Sequence, residues 1–421
     1  MKVKQLKINS FRGIKDLTLD FDLKEPTVLV GINGSGKSSI LDCLAILLSW
    51  FNNRVPDTHQ EGKDFSDSDI NNQSKKTENK ITVYTNESEA ISWTLKKRRD
   101  DWGVPETGIF SNAYGVYELV EQAYKNYEND DIGCLPIAVY YPTQRFVLDV
   151  PLETKDNLFD TLNAYDSALS QKNVDFRDFF EWFRNREDLE NENYKHNPNL
   201  GKDKELEAVR KAIYQMLEGF SNLRIERYPL QMSLEKNGQK LIVNQLSDGE
   251  KGLLAMVGDL ARRLAMTSSF DKDALQGEAI VLIDQIELHL HPKWQREIIS
   301  ALKRTFTNCQ FIITTHSPQV VSNIQPKNIY VLEATEEGVT ARHPQSSFGR
   351  DSNSILEDVM GVAERPVEIK QDILKLFQII EEGNLEAAQQ LRREIADKIG
   401  SDEPELIKAA TSIKRKEILN R

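Results

Sequence analysis

The fold is decided by residues 28–39, Val28-Leu-Val-Gly-Ile-Asn-Gly-Ser-Gly-Lys-Ser-Ser39, where an apolar strand runs into a glycine-rich turn and then into an apolar helix. The turn matches G-x-x-x-x-G-K-[ST], the pattern of a phosphate-binding loop, in the strand–loop–helix context that the pattern requires. Glycines let successive N–H groups point at one phosphate, and the start of the helix adds its positive end. A glycine turn that only joins strand to helix is the alternative.

The residues of this loop predict a binding site for a nucleoside triphosphate and Mg²⁺. Lys37 is expected to reach the β- and γ-phosphates, and the Ser38 hydroxyl to bind the metal ion. The cofactors predicted are therefore ATP and Mg²⁺. The residues expected around the phosphates are Asn33, Gly34, Ser35, Gly36, Lys37, Ser38 and Ser39.

Composition limits the class of protein. A chain of 421 residues with 39% hydrophobic residues holds two or three domains with a sizeable core. The net charge of −12 disfavours a protein that coats nucleic acid with its whole surface, but it leaves a local basic groove open. Three scattered cysteines argue against a disulfide framework and a zinc site. The first residues alternate like a strand, and no apolar run is long enough for a bilayer, so we expect a cytoplasmic protein without membrane contact.

The first 80 residues predict strands, a helix and a loop. Strands are expected at Lys2–Ile8, Leu17–Phe21 and Thr27–Val30, followed by a helix over Ile40–Phe51. The polar segment 52–80 is expected to be a mobile surface loop.

Further strands and a helical insertion follow. The predicted elements are strands at Ile81–Thr85, Ala90–Lys97, Leu135–Tyr141, Leu223–Tyr228, Leu230–Leu234 and Leu241–Val243, and a helix at Tyr114–Tyr127.

The insertion carries four aromatic residues, Phe176, Phe179, Phe180 and Phe183, at the spacing of one helical face. Such a face is typical of a core contact, with nucleic-acid stacking as the alternative. Segment 191–204 is expected to be a loop between helices.

A second informative stretch is Leu246-Ser-Asp-Gly-Glu250, which directly precedes a predicted helix ending near Ala265. Ser247 and the Gly249 N–H are expected at the positive end of that helix. Taken alone, this is an ordinary helix N-cap.

Two apolar strands end in polar residues. Ala279–Ile283 leads into Asp284, which suits the carboxylate that orders a Mg²⁺ shell, and 310–315 leads into His316. Open α/β sheets bind ligands at the carboxyl ends of their strands, so these side chains are expected beside the phosphate loop.

The order of these motifs resembles the ABC-type ATPases of the SMC and RecF branch. The resemblance covers most of residues 1–340 and implies an α/β fold: a P-loop ABC-type ATPase head with a mixed sheet, antiparallel strands in its first lobe, a helical insertion and a helical C-terminal region. It also implies a head-to-tail homodimer with two ATP molecules between P-loops and signature helices. Ser247, Gly249 and Glu250 then contact the ATP bound by the opposite subunit.

The resemblance assigns roles to three further residues. Gln144 resembles the Q-loop residue that senses Mg²⁺ and the γ-phosphate, with a plain surface glutamine as the alternative. His316 resembles the catalytic switch histidine, with a buried structural histidine as the alternative. Arg12 is a candidate nucleotide contact or a surface arginine. For His289 and His291 we favour a D-loop role at the dimer interface over a metal site.

One position departs from the family pattern. In the family, the residue directly after the Walker B aspartate, which is Asp284 here, is a carboxylate that acts as the general base. In this chain that residue is Gln285. An amide cannot accept that proton, so hydrolysis is expected to be impaired while nucleotide still binds. We interpret Gln285 as an engineered substitution that traps ATP, with natural degeneration as the alternative. Glu287 is no obvious substitute: if the stretch is extended, it shares a face with Gln285 but lies further from the phosphate.

Within that branch the chain resembles the PtuA group of Septu and retron-associated defence ATPases. The residues are 140–145, 175–184, 286–292 and 348–351. This resemblance implies a partner HNH nuclease of the PtuB type. It leaves open a higher oligomer, DNA contact, and a reverse transcriptase with its RNA or DNA product.

The C-terminal tail is predicted to be helical. An apolar stripe runs through Ile369, Ile373, Leu376, Phe377 and Ile380, and it serves either packing onto the ATPase head or docking of a partner. No evident cluster of acidic metal ligands follows His316, so we expect any nuclease to be a separate chain. The predicted division is lobe I (1–158), helical insertion (159–222), lobe II (223–340) and partner-binding region (341–421).

Two other functions remain as alternatives. One is a RecF-like DNA-repair clamp that grips duplex DNA itself. The other is a nucleotide-locked scaffold in which hydrolysis is incidental.

Overall fold

The structure is a computed structural model that describes residues 1–85, 90–99, 109–111, 113–128, 133–143, 159–170, 176–197, 201–269, 273–336 and 338–419. In chain order the strands are β1 (Lys2–Phe11), β2 (Ile14–Asp20), β3 (Thr27–Gly31), β4 (Lys76–Tyr84), β5 (Ala90–Arg98), β6 (Ile109–Ser111), β7 (Ile137–Tyr141), β8 (Phe220–Arg227), β9 (Leu230–Lys236), β10 (Gln239–Ile242), β11 (Ala279–Ile283), β12 (Gln310–Thr315), β13 (Ile329–Thr335) and β14 (Gly338–Arg342). The helices are α1 (Lys37–Asn52), α2 (Ala113–Glu128), α3 (Phe176–His196), α4 (Lys204–Met216), α5 (Asp248–Thr267), α6 (Pro292–Thr305), α7 (Pro318–Val321), α8 (Ser352–Asp358), α9 (Val367–Glu382), α10 (Leu385–Ile399) and α11 (Pro404–Leu419).

A six-stranded sheet in the order β14-β13-β3-β12-β11-β7 positions the predicted phosphate loop. Its neighbouring strands are parallel except for the β13–β14 pair. Strands β3, β12 and β11 lie side by side, so the segments that follow them emerge at one edge of the sheet. This placement is the one predicted from the polar residues at the strand ends.

Two antiparallel sheets complete the mixed α/β architecture. One has the order β2-β1-β4-β5-β6, and the other has the order β10-β9-β8. The expectation of a mixed sheet system with antiparallel strands in the first part of the chain is therefore confirmed.

Helix α1 follows the phosphate loop and is almost wholly buried. Apolar residues on all sides explain this, because a helix without a polar face needs neighbours around it. Its one buried amide, Asn52, donates to the Ala138 carbonyl (2.7 Å) and accepts from the Ala138 N–H (3.0 Å). The pair of bonds fixes the end of α1 against β7.

The prediction of a surface loop over 52–80 agrees with the structure only in its first part: residues 57–64 lie outside helices and strands and are mostly exposed, but the rest is anchored. Phe65 and Ile70 are buried, Ile70 forms an isolated bridge with Phe11, and β4 begins at Lys76. The polar residues that suggested a loop are used locally: Ser66 and Asp69 cap a short 3-10 helix. The polar composition suggested a loop, but some of these side chains form hydrogen bonds with nearby backbone groups and so stabilise local structure.

The aromatic stripe is part of the core. Phe176, Phe179, Phe180 and Phe183 are all buried on α3, and a side chain at Gly258 of α5 would collide with the Phe179 ring at 2.8 Å. This packing leaves no ring exposed for a nucleic-acid base. Helix α3 also continues to His196, so the loop expected over 191–204 begins later than predicted.

The chain folds as two compact units, Met1–Asp351 and Ser352–Arg421. In the second unit, helices α9, α10 and α11 bury Ile373, Leu376 and Ile380 against one another together with Ile395 and Leu406. The predicted stripe thus contributes to this unit's own core. The division into two lobes, an insertion and a partner-binding region stays a prediction.

Within the described part of the chain, no helix combines the length and the apolar character needed to span a bilayer.

Candidate functional site

The phosphate loop has the backbone that its glycines predict. Gly34 and Gly36 have φ values of +81° and +91°, in the left-handed region where a side chain is strained. Gly36 is the N-cap of α1. A Cβ at Gly31 would lie 2.5 Å from the Leu332 carbonyl oxygen, so this position needs glycine because β13 is so close.

Lys37 is buried inside the loop. Its ammonium donates to the carbonyl oxygens of Gly31 (2.9 Å) and Ile32 (2.8 Å). Burial lowers the pKa of the Lys37 ammonium, and the charges of Asp284 and Glu287 oppose that shift. The side chain is therefore held where a phosphate enters the loop.

Ser38 and Asp284 meet as predicted. The Ser38 hydroxyl donates to Asp284 Oδ2 over 2.8 Å, and the Thr314 hydroxyl donates to Asp284 Oδ1 over 2.5 Å. A hydroxyl and a carboxylate at the mouth of a phosphate loop are hard oxygen donors, which Mg²⁺ prefers. The residues present thus fit Mg²⁺ bound together with nucleotide phosphates.

His316 follows β12 and lies half-buried near the same groups. Burial and then the charge of Lys37 lower the pKa of the His316 imidazole, while Glu287 and Asp284 oppose the shift. The ring is therefore biased towards its neutral form. Its position at this edge agrees with the switch role, and that role stays a prediction.

The stretch after Asp284 turns sharply and is not extended. Gln285 has a φ of +49°, and its N–H donates to Thr314 Oγ1 over 2.7 Å. The geometric reason given against Glu287 is thus wrong, because the two side chains do not share a strand face. Instead the Glu287 carboxylate binds the segment that carries His316.

The Ser247 turn caps α5 as predicted. The Ser247 side chain accepts from the Glu250 N–H, and the Glu250 carboxylate accepts from the Ser247 N–H (3.0 Å). Burial raises the pKa of Glu250, but bonds from Lys236 and Ser247 lower it by more. A Cβ at Gly249 would lie 2.3 Å from the His289 carbonyl oxygen of the same chain. Both interpretations of the motif, N-cap and dimer contact, are compatible with this geometry.

Arg12 is not a free surface arginine, because its side chain is bonded to two carboxylates. The Arg12 Nε donates to the Asp69 carboxylate over 2.9 Å, and a second guanidinium nitrogen donates to Asp42 on α1. The backbone N–H of Arg12 donates to the Asp69 carbonyl over 2.8 Å. Burial lowers the pKa of Arg12, but the bonds and charges of Asp42 and Asp69 raise it by more. The residue ties the β1–β2 turn to α1, and its nucleotide contact stays a prediction.

Gln144 and His291 are two further residues with predicted roles. Gln144, the predicted Q-loop residue, lies outside the described residues, just beyond β7. His291 caps α6 through its Nδ1, which accepts from the Lys293 N–H over 3.2 Å. Among residues that the structure describes, His, Cys, Asp and Glu form no group of three or more that suits a metal ion.

Sequence reasoning gave no role to Thr314 or Asp42, and it considered Glu287 only as a substitute base and not as a partner of the His316 loop. Thr314 contacts Asp284 because β12 pairs with β11 in the register Ile283↔Ile313. That register is a long-range property, so local spacing does not predict it. The only local sign was a pair of threonines directly before His316.

The sequence matches the AAA ATPase domain family over residues 1–321, and the chain belongs to that family. The Retron Ec83 probable ATPase of Escherichia coli is 30% identical, over 95% of this chain and 83% of that protein. The Septu protein PtuA of Bacillus thuringiensis is 25% identical, over 86% of this chain and 85% of that protein. These relatives and the family match confirm the resemblance inferred from the motifs.

A crystal structure of an SMC head bound to the C-winged helix domain of ScpA is also similar in fold. It is 14% identical, with a TM-score of 0.48, over 81% of this chain and 98% of that chain.

Proposed function

We propose that this ATPase binds Mg²⁺-ATP, closes as a head-to-tail homodimer around two ATP molecules, and controls a partner nuclease in anti-phage defence. The observation that carries the proposal is the contact between Ser38 and Asp284 at the mouth of the phosphate loop, with His316 on the neighbouring strand. The loop and Lys37 bind the phosphates, Ser38 and Asp284 hold the metal ion, and His316 reaches the γ-phosphate. Bound Mg²⁺ supplies charge neutralisation at the phosphates.

The Ser247 turn is our candidate for closing the pocket of a second subunit. Ser247 is exposed at the start of α5, where the helix dipole and N–H groups favour an anion. Gln285 then favours a long-lived closed dimer, because its amide cannot take the proton of an attacking water.

The experiment is ATP-dependent dimerisation of the full chain, measured by size-exclusion chromatography with light scattering. We expect the parent to be a dimer with Mg²⁺-ATP. Ser247→Arg places a bulky side chain at the contact and should stay monomeric while still binding ATP. Ser300→Arg, on the exposed side of α6, is the matched control and should dimerise. A parent that binds ATP and stays monomeric contradicts the proposed dimer.

The relatives named for retron and Septu systems support the defence role. We infer an HNH nuclease of the PtuB type and, for a retron-linked complex, a reverse transcriptase with its nucleic-acid product. Exposed apolar side chains of the second unit, Leu374 and Ile407 among them, suit such a partner. Expression with the neighbouring genes should give co-purification of a small HNH protein, and a complex without one contradicts the proposed nuclease partner.

Three buried, free cysteines support a reducing, cytoplasmic location.

One observation favours DNA contact as a second candidate function. Lys7 lies directly opposite Lys80 across β1 and β4, and Lys76 opposite Arg98 across β4 and β5. All four are exposed on one face of the sheet, where like charges in register are unfavourable. Phosphates of a nucleic acid would relieve that repulsion.

A further inference from the structure

The loop that carries His316 is bonded to the segment after Asp284 through Glu287. Thr315 Oγ1 donates to Glu287 Oε2 over 2.7 Å, and the backbone N–H of His316 donates to Glu287 Oε1 over 2.7 Å. Both oxygens of one carboxylate are therefore used by two consecutive residues of the loop. Charge-assisted bonds of this kind are about twice as strong as neutral ones.

A second contact of the same form lies one residue earlier. The Thr314 hydroxyl donates to Asp284 and accepts from the Gln285 N–H, while the Thr315 hydroxyl donates to Glu287 and accepts from the Ser317 N–H (3.0 Å). Two adjacent threonines thus join the two segments. Asp284 fixes the first contact at the metal-binding position, and Glu287 fixes the second at His316.

The loop is also held on its other side. The Ser317 hydroxyl donates to Gln295 Oε1 over 2.7 Å, and Gln295 Nε2 donates to the Leu290 carbonyl over 2.8 Å. His316 therefore sits between two anchored neighbours, Thr315 and Ser317. Its backbone position depends on the segment 284–290 and on α6.

We propose that Glu287 is the positioning residue for His316, and that it sets the preference of the site for ATP over ADP. The proposal rests on the proposed function, in which His316 reaches the γ-phosphate. Glu287 acts through the loop, because each of its oxygens accepts a bond from that loop, one from Thr315 and one from the backbone of His316. The segment after Asp284 therefore positions His316 whether residue 285 is Gln or Glu.

The test is the affinity of the full chain for Mg²⁺-ATP and for Mg²⁺-ADP, measured by isothermal titration calorimetry. Glu287→Ala removes both bonds to the loop. The proposed contact of His316 with the γ-phosphate is then lost, so ATP binding should weaken about tenfold, as for one charged hydrogen bond, with ADP binding within twofold of the parent. Thr315→Val keeps the carboxylate charge and should weaken ATP binding selectively as well. Thr315→Ser keeps the hydroxyl and should retain the parent's preference.

Glu287→Gln separates geometry from charge. Its amide oxygen can accept from the His316 N–H and its NH₂ can donate to Thr315, so ATP preference should equal or exceed that of the parent. Glu297→Ala removes an exposed carboxylate from α6 and is the matched control.

The proposal is overturned if Glu287→Ala keeps the parent's ratio of ATP to ADP affinity, or if it loses both nucleotides equally. It is overturned too if both Glu287 variants bind ATP more tightly, since the carboxylate would then act by charge alone. Where Glu287→Ala does not fold, Thr315→Val and Thr315→Ser decide the question. A parent that binds neither nucleotide contradicts the proposed function itself, which is a different result from an unchanged ratio.

Discussion

Gln285 combines a left-handed backbone with a side chain that cannot act as a base. Its φ is +49°, and its N–H donates to Thr314 Oγ1, so the neighbouring strand holds the backbone of residue 285. A carboxylate introduced here should therefore keep the same placement.

We expect Gln285→Glu to raise phosphate release by about 10²–10⁴-fold, the usual contribution of a general base. Steady-state release of phosphate by the full chain with Mg²⁺-ATP checks this. Gln239→Glu, at an exposed position of β10, makes the same chemical change elsewhere and should leave the rate unaltered. Unchanged, negligible turnover in Gln285→Glu would instead favour the nucleotide-locked scaffold.

At the residue scale, sequence predicted the groups whose spacing is local. The loop glycines, Lys37 and the meeting of Ser38 with Asp284 follow from one motif and from the rule that strand ends share an edge. The contacts of Glu287 with Thr315 and His316 were not predicted, because no motif covers them and they depend on the turn after Asp284. The contacts of Arg12 were not predicted either, since Asp42 and Asp69 lie 30 and 57 residues away in the chain.

At the scale of elements, a buried polar network joins β7 to the helix that starts at the Ser247 turn. Asp259 of α5 accepts from the Tyr141 hydroxyl (3.0 Å), from Arg262 (2.8 Å) and from Arg263 (2.8 Å). Burial raises the pKa of Asp259, but the two arginines outweigh it and lower the pKa to about 2. The network fixes α5 against the strand that leads to Gln144.

Asp259→Asn should lower the free energy of unfolding by about 3–5 kcal/mol near neutral pH, because two buried arginines lose their counter-charge. The folded-state pKa lies below the usual 3.8, so this stabilisation is complete above about pH 4 and is lost as the pH falls towards 2. Urea unfolding followed by tryptophan fluorescence at several pH values measures the difference. We expect it to shrink over that range.

Asp248→Asn, whose carboxylate is exposed, provides the comparison and should change stability little. A difference between parent and Asp259→Asn that stays constant from pH 7 to pH 3 and below would mean that the carboxylate charge does not supply the stabilisation.

Elements were predicted best where periodicity was strong and worst where polar residues satisfied one another. The stripe through Ile373, Leu376 and Ile380 correctly gave a helix, but periodicity does not say which surface covers it. In the segment 52–80 the prediction missed the anchored part around Ile70, because its polar residues, Ser66 and Asp69 among them, bond to one another around a short 3-10 helix. Helix α3 ran past its predicted end through a polar stretch that lacks a helix breaker before His196.

At the scale of the whole molecule, overall charge and local charge point to different partners. The chain is acidic, yet one sheet face carries Lys7, Lys80, Lys76 and Arg98 in two like-charged pairs. Glu78 and Lys96 on the same sheet neutralise each other at 2.8 Å. The part of the face on β4 and β5 is therefore locally basic, while β2 brings the exposed Asp16 and Asp20 to the same face beside Lys7.

If this face contacts DNA, the double variant Lys7→Ala/Lys80→Ala should weaken duplex binding, and the slope of log affinity against log salt should fall by about 2. Fluorescence anisotropy with a labelled duplex between 50 and 200 mM salt is the measurement. Lys408→Ala/Lys414→Ala changes net charge equally on the exposed side of α11. Equal losses in both variants, or a parent that does not bind duplex DNA, would argue against the second candidate function.

The close approach of Gly249 to the His289 carbonyl has a consequence for the proposed dimer. In the proposed dimer, the Ser247 turn closes over nucleotide held by the other subunit, while it rests on the 284–291 segment of its own subunit. If the release of the γ-phosphate displaces that segment, the Ser247 turn moves with it, and the movement reaches the ATP pocket of the other subunit. Events in the two ATP pockets of the proposed dimer are then expected to be coupled and not independent.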